Sequence, residues 1–203
     1  MLELPRLYPI LDRSVLPAET ARLWLQSGVR LLQYRNKNGT PRQCLGEARE
    51  LVRLAHQSGR RERVILVMND RADLGVAADF DGVHIGEEDM SVAAARKVVG
   101  KKLLGVSCHN ELQVELANET DADYVAIGPL FATASKADPD PVVGIDRLRH
   151  IRKLTTKPLV AIGGITRENA QAVWDAGADS VAVIGDLARD PERDLAAWLA
   201  LLV

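Results

Sequence analysis

Short runs rich in Val, Ile and Leu recur along the whole chain, at 7–11, 29–33, 64–69, 82–85, 103–107, 124–127, 159–162 and 180–184. They are continuously apolar rather than alternating, the pattern of strands buried on both faces of a parallel sheet. Segments with helical spacing lie between them, such as Thr20, Leu23, Trp24 and Leu25, or Leu45, Ala48, Leu51, Val52, Leu54 and Ala55. Asn110 and Thr166 read as N-caps, and Gly28, Gly100 and Gly177 as glycines that close helices. Phe80-Asp81-Gly82-Val83 returns in altered form as Ala122-Asp123-Tyr124-Val125 and Ala178-Asp179-Ser180-Val181, a likeness of strand–loop–helix units. Eight units favour an α/β fold of the single-domain (β/α)8 TIM barrel type, residues 1–203, over an open doubly wound sheet of about five or six strands. The chemistry of such a barrel sits in the loops that follow its strands.

Composition narrows the function. Lys and Arg number 26 against 28 Asp and Glu, a net charge of -2, so neither nucleic acid nor an anionic membrane is an expected partner. Cys44 and Cys108 match no metal spacing or disulfide framework. The N-terminal residues lack a signal-peptide pattern, no stretch is apolar enough to span a bilayer, and the cytoplasm is the expected location. The sequence sets no oligomeric state.

The strand ends carry the candidate chemistry. Gln33, Arg35 and Lys37 project to one side of an extended chain, an amide and two cations able to grip a polyanion or to form a salt-bridged rim. Asp70 follows the third strand and Asp89 the fourth, so a barrel brings them face to face. Two carboxylates opposite cations suit Mg²⁺ shared with substrate phosphates, whereas capping would account for Asp70 alone. Asp73 reads as a first-turn residue that improves its helix dipole. In Ser107-Cys108-His109 neighbouring side chains point opposite ways, so Ser107 is expected to donate a hydrogen bond and Cys108 to pack. His84 and His109 are expected to be hydrogen-bonded structural residues. Residues 128–141 read as a lid in which Thr133, Ser135 and Lys136 bring hydroxyls and a cation to an anion. Gly163, Gly164 and Gly185 either admit a phosphate to backbone N–H groups or serve tight turns.

Taken in order, Gln33-x-Arg35-x-Lys37, Asn69-Asp70-Arg71-x-Asp73, Gly82-Val83-His84-Ile85-Gly86-x-x-Asp89-Met90, Gly105-Val106-Ser107-x-His109, Gly128-Pro129 with 133–136, and Ala161-Ile162-Gly163-Gly164-Ile165 make the chain resemble the thiamine-phosphate synthase family. That resemblance implies a transferase joining hydroxymethylpyrimidine diphosphate to thiazole phosphate, with pyrophosphate released and Mg²⁺ as cofactor. It assigns Gln33, Arg35, Lys37, Asn69, Ser107 and Lys136 to the pyrimidine diphosphate, with Arg35, Lys37, Ser107 and Lys136 catalytic. Asp70 and Asp89 fall to the metal, and Thr133, Ala134, Ser135, Gly164, Ile184 and Gly185 to the thiazole phosphate. The family often has Ser where Gly185 stands, Gln where Glu87 stands and Thr where Ser135 stands, changes expected to alter phosphate contacts rather than abolish activity. A thiazole tautomerase on the same barrel and a non-catalytic phosphate-binding barrel are the rival readings. Asp89, Gly128, Pro129 and Thr133 favour the synthase over the first, and the Asp70–Asp89 pair disfavours the second.

Overall fold

The computed structural model describes residues 2–59, 64–133 and 140–202. Eight parallel strands close into a barrel in chain order: β1 (Leu7–Asp12), β2 (Leu31–Arg35), β3 (Ile65–Asn69), β4 (Gly82–Ile85), β5 (Leu103–Cys108), β6 (Tyr124–Ile127), β7 (Leu159–Ile162) and β8 (Ser180–Val183). Closure is made by β1 against β8, with Leu7 paired to Val181 and Pro9 to Val183. Around it run α1 (Thr20–Ser27), α2 (Pro41–Gln57), α3 (Ala72–Ala77), α4 (Val92–Val99), α5 (Glu111–Asn118), α6 (Gly144–Leu154), α7 (Ala170–Asp175) and α8 (Pro191–Ala200).

The apolar residues divide into two cores, as strands buried on both faces require. Tyr8, Ile10, Leu31, Val67, Tyr124, Ala126, Val160 and Ala182 fill the barrel. Their sequence neighbours, among them Leu7, Leu11, Leu32, Leu66, Val125 and Val181, pack outward against the helices. Strand alternation thus sorts each run into inner and outer sets.

Local signals are largely borne out. Asn110 caps α5 by accepting from the Gln113 N–H at 3.0 Å, while Gly28 and Gly100 end α1 and α4 with positive φ. Gly177, at φ 104°, follows α7 and its cap residue. Two positions are corrected. Strand β2 starts at Leu31 rather than 29, since Val29 still bonds back to the Trp24 carbonyl of the closing turn. Thr166 does not cap α7: a turn intervenes, Asn169 precedes the helix, and the Asn169 Oδ1 instead accepts the Thr166 N–H at 2.8 Å.

Candidate active site

The described candidates lie at the C-terminal ends of the strands or in the loops beyond them, apart from Gln33, which sits in the middle of β2. Gln33 and Arg35 sit on β2, Asn69 on β3 and Ser107 on β5, with Lys37, Asp70 and Asp89 in the loops after β2, β3 and β4. Thr133 follows β6 and Gly164 follows β7. Ile184 follows β8 and leads into a 3-10 turn over Gly185–Leu187. Ala134, Ser135 and Lys136 lie outside the described residues.

Asp70 and Asp89 meet. Their carboxyls are in hydrogen-bonding contact, and burial together with the Asp89 charge pushes the Asp70 carboxyl up to about 6. Asp70 is aimed by a turn of φ 61° whose N–H donates to the His84 carbonyl at 2.8 Å, a backbone state that Asp tolerates better than most residues. It does not cap α3. Asp89 is held by the Gly86 N–H at 2.7 Å. Lys37 Nζ stands 3.6 Å from Asp70, and Arg35 lends a second favourable charge. Among the described residues no group of three or more His, Cys, Asp and Glu gathers as a metal cage. The donor set is instead two crowded carboxylates facing cations, which fits a hard dication that completes its shell with water and phosphate oxygens. Asp73 pairs with Arg71 at 2.6 Å in the first turn of α3.

Arg35 owes its direction to Asp12, the buried last residue of β1, which stands opposite it in register and accepts its guanidinium. Asp12 also accepts from the Ser14 N–H and hydroxyl at 2.9 and 2.6 Å. The spacing that exposed Arg35 gave no sign of Asp12, because the partner sits 23 residues away and becomes adjacent only through strand pairing.

A series of hydrogen bonds crosses the barrel interior below these groups. Gln33 Nε2 donates to the Tyr8 hydroxyl at 3.0 Å, which lies 3.2 Å from the Tyr124 hydroxyl. That hydroxyl lies 3.0 Å from His84 Nδ1, and His84 Nε2 lies 2.9 Å from Ser107 Oγ. Burial pushes His84 down to about 4, so the ring is neutral at pH 7, and pushes both phenols above their ordinary range. Ser107 points inward and Cys108 outward into the helix layer, where burial first and the Glu87 charge second push the thiol up to about 12. His109 Nδ1 is 2.6 Å from the Gly128 carbonyl. Both histidines are hydrogen-bonded, as expected.

Residues 7–187 match the family model described as thiamine monophosphate synthase. The chain belongs to this family. It is 52% identical to the thiamine-phosphate synthase of Koribacter versatilis over 99% of this chain and 97% of that protein. The thiamine-phosphate synthase of Chloroflexus aurantiacus is 43% identical over 88% of this chain and 83% of its own length. Among solved structures, the thiamine phosphate pyrophosphorylase of Pyrococcus furiosus superposes with a TM-score of 0.84 at 31% identity, covering 95% and 91% of the two chains. The protein is therefore a transferase of thiamine biosynthesis on a (β/α)8 barrel.

Within this thiamine monophosphate synthase barrel the glycine turn after β7 has a steric cause. Gly163 and Gly164 have φ of 98° and 65°, and a Cβ on Gly164 would stand 2.5 Å from the Ala132 carbonyl oxygen. The loop after β6 thus presses on the turn: Leu130 is buried, and Phe131 N–H donates to the Gly163 carbonyl at 2.9 Å. At least its first residues are packed rather than poised as a lid. At Gly185 a Cβ would meet nothing within 4 Å, so the serine common in the family would fit there.

Proposed function

We propose that this protein, as one domain over residues 1–203, joins hydroxymethylpyrimidine diphosphate to thiazole phosphate by a dissociative substitution. The bond between the pyrimidine's methylene carbon and the diphosphate oxygen breaks, and its electron pair leaves with the diphosphate. The thiazole nitrogen then gives its lone pair to the resulting pyrimidinylmethyl cation, and the positive charge ends on the thiazolium of thiamine phosphate.

The observation that carries this reading is the grouping of Arg35, Lys37 and the Asp70–Asp89 pair at one rim. A leaving group that gathers negative charge needs fixed cations aimed at it, and such preorganised electrostatics is commonly the largest catalytic contribution. Arg35, locked by Asp12, offers a planar fork, and Lys37 a compact charge; Lys136 is assigned to the same task. Asp70 and Asp89 would hold Mg²⁺, which supplies Lewis-acid neutralisation of the departing diphosphate. Asn69, Gln33 and Ser107 orient the pyrimidine diphosphate. Thr133, Ala134, Ser135, Gly164, Ile184 and Gly185 take the thiazole phosphate. No covalent nucleophile is needed, in keeping with a Cys108 thiol that stays protonated. The two buried free cysteines suit a reducing cytoplasm.

The purified protein with both substrates and Mg²⁺ should yield thiamine phosphate and pyrophosphate in equal amounts, followed by chromatography. Absence of both products at saturating substrate would overturn the reading. Asp89→Ala should lower turnover by about a hundredfold or more, with no full recovery in excess Mg²⁺; wild-type rates in that variant would remove Asp89 from the metal site.

A further inference from the structure

The hydrogen-bonded series from Gln33 to Ser107 has a direction, and its two ends are two of the groups assigned above to the pyrimidine diphosphate. A phenol has one hydrogen to give, and a neutral imidazole has one N–H and one bare nitrogen. Gln33 Nε2 donates to Tyr8, so the Tyr8 hydrogen passes to its other partner, the Tyr124 oxygen. The Tyr124 hydrogen then goes to His84 Nδ1, which leaves the imidazole hydrogen on Nε2, directed at Ser107 Oγ. Ser107 already accepts, and its own hydrogen is turned away from the relay. No member can reverse alone: if the Gln33 amide flipped to put its carbonyl on Tyr8, all four bonds would invert, and Ser107 would spend its hydrogen on His84.

We propose that His84, Tyr124 and Tyr8 are positioning residues that lock the hydrogen-bonding sense of Gln33 and Ser107, so that the site offers a carbonyl acceptor and a hydroxyl donor as a fixed pair. That pair matches a pyrimidine carrying an amino donor beside a ring-nitrogen acceptor. It mismatches the oxo analogue, whose carbonyl accepts and whose ring N–H donates. An isolated glutamine amide recognises either ring by flipping alone; tied to the relay, it meets the oxo ring only by inverting all four bonds, which trades a phenol donating to a bare ring nitrogen for an imidazole N–H donating to a phenol oxygen, a weaker acceptor. The packing supports this role. Gly105 stands between His84 and Tyr124 in the sheet register, and its missing side chain lets the Tyr124 ring lie along the imidazole, with centroids 5.5 Å apart and planes 25° apart. A Cβ at Gly105 would lie 2.0 Å from Tyr124 Cζ. His84, Tyr8 and Tyr124 are all buried, so the relay is shielded from bulk water.

The inference rests on the proposed transferase reaction, and the test separates the two. Wild-type protein, Tyr8→Phe and Tyr124→Phe are assayed with the amino and the oxo pyrimidine diphosphate, and folding of each variant is checked by its urea midpoint. ¹⁵N-histidine spectra of the wild type, with His84 assigned through His84→Gln, report its tautomer. The expected result is an Nε2–H tautomer and a wild-type preference for the amino ring that falls at least tenfold in Tyr8→Phe. The change should come from the oxo substrate gaining relative to the amino one, which a general loss of stability does not produce. An unchanged preference in a folded Tyr8→Phe protein, or an Nδ1–H tautomer, overturns the relay. No product from the wild type with either ring overturns the transferase reading and the selectivity built on it, and the tautomer then reports on the relay alone.

Discussion

Gly105 shows how one absent side chain can organise a site. Tyr124 is held at its hydroxyl by Tyr8 and His84, so its ring cannot swing aside cheaply. Gly105→Ala should therefore cost about 1–3 kcal/mol through overpacking, read as a lower urea midpoint by intrinsic fluorescence, and an unchanged midpoint would mean the ring has room to move. At this scale the sequence was partly legible. The Gln33, Arg35 and Lys37 spacing and the Asp70 and Asp89 positions were visible because strand periodicity and the order of barrel strands place them. Asp12, Tyr8 and Tyr124 were not, since a buried aspartate or tyrosine reveals its partner only after closure brings together residues as far apart as 116 positions.

At the scale of the element, the recurring Asp before β4, β6 and β8 has a shared task. Asp81, Asp123 and Asp179 accept the backbone N–H of Leu66, Leu104 and Leu159 at 2.8, 2.8 and 2.7 Å. Each also returns its own N–H to the carbonyl of that same leucine. The clamp fastens the start of an even-numbered strand to the odd-numbered strand before it, on the face away from the site. Arg96 further pairs with Asp123 and Arg152 with Asp179. Asp179→Ala should lower stability by about 1–2 kcal/mol, the scale of a partly exposed charge-assisted hydrogen bond, while kcat/KM stays at the wild-type value. A large loss of activity without loss of stability would contradict a purely structural clamp. The repeated phrases were visible in the sequence, but the bonded leucines lie 15 to 20 residues upstream, so the phrases alone could not disclose what the aspartates hold.

For the molecule as a whole, enclosing His84 inside a closed barrel couples stability to pH. Its pKa falls from the ordinary 6.5 to about 4 on folding, so the unfolded chain binds the proton more readily. The stabilisation is complete above pH 6.5 and is lost as the pH drops through about 4, a loss of about 3 kcal/mol. Asp70 works in the opposite direction over much of the same range, since its raised pKa makes the folded state bind a proton first. Asp70→Asn removes that compensation. Its urea midpoint should decline more steeply between pH 7 and 4.5 than that of the wild type, and parallel curves would show that the two shifts are not opposed.

The sequence by itself determined the number and order of the strands, the helix ends marked by Asn110, Gly28, Gly100 and Gly177, and the loops that had to hold the chemistry. These follow from local periodicity and from rules of connection that act over a few residues. Only the tertiary structure decided which side chains meet: Asp12 with Arg35, Asp70 with Asp89, and Gln33 with Ser107 through two tyrosines and a histidine. A hydrogen bond depends on ångström separations between distant parts of the chain, and those separations exist only once the eighth strand closes on the first.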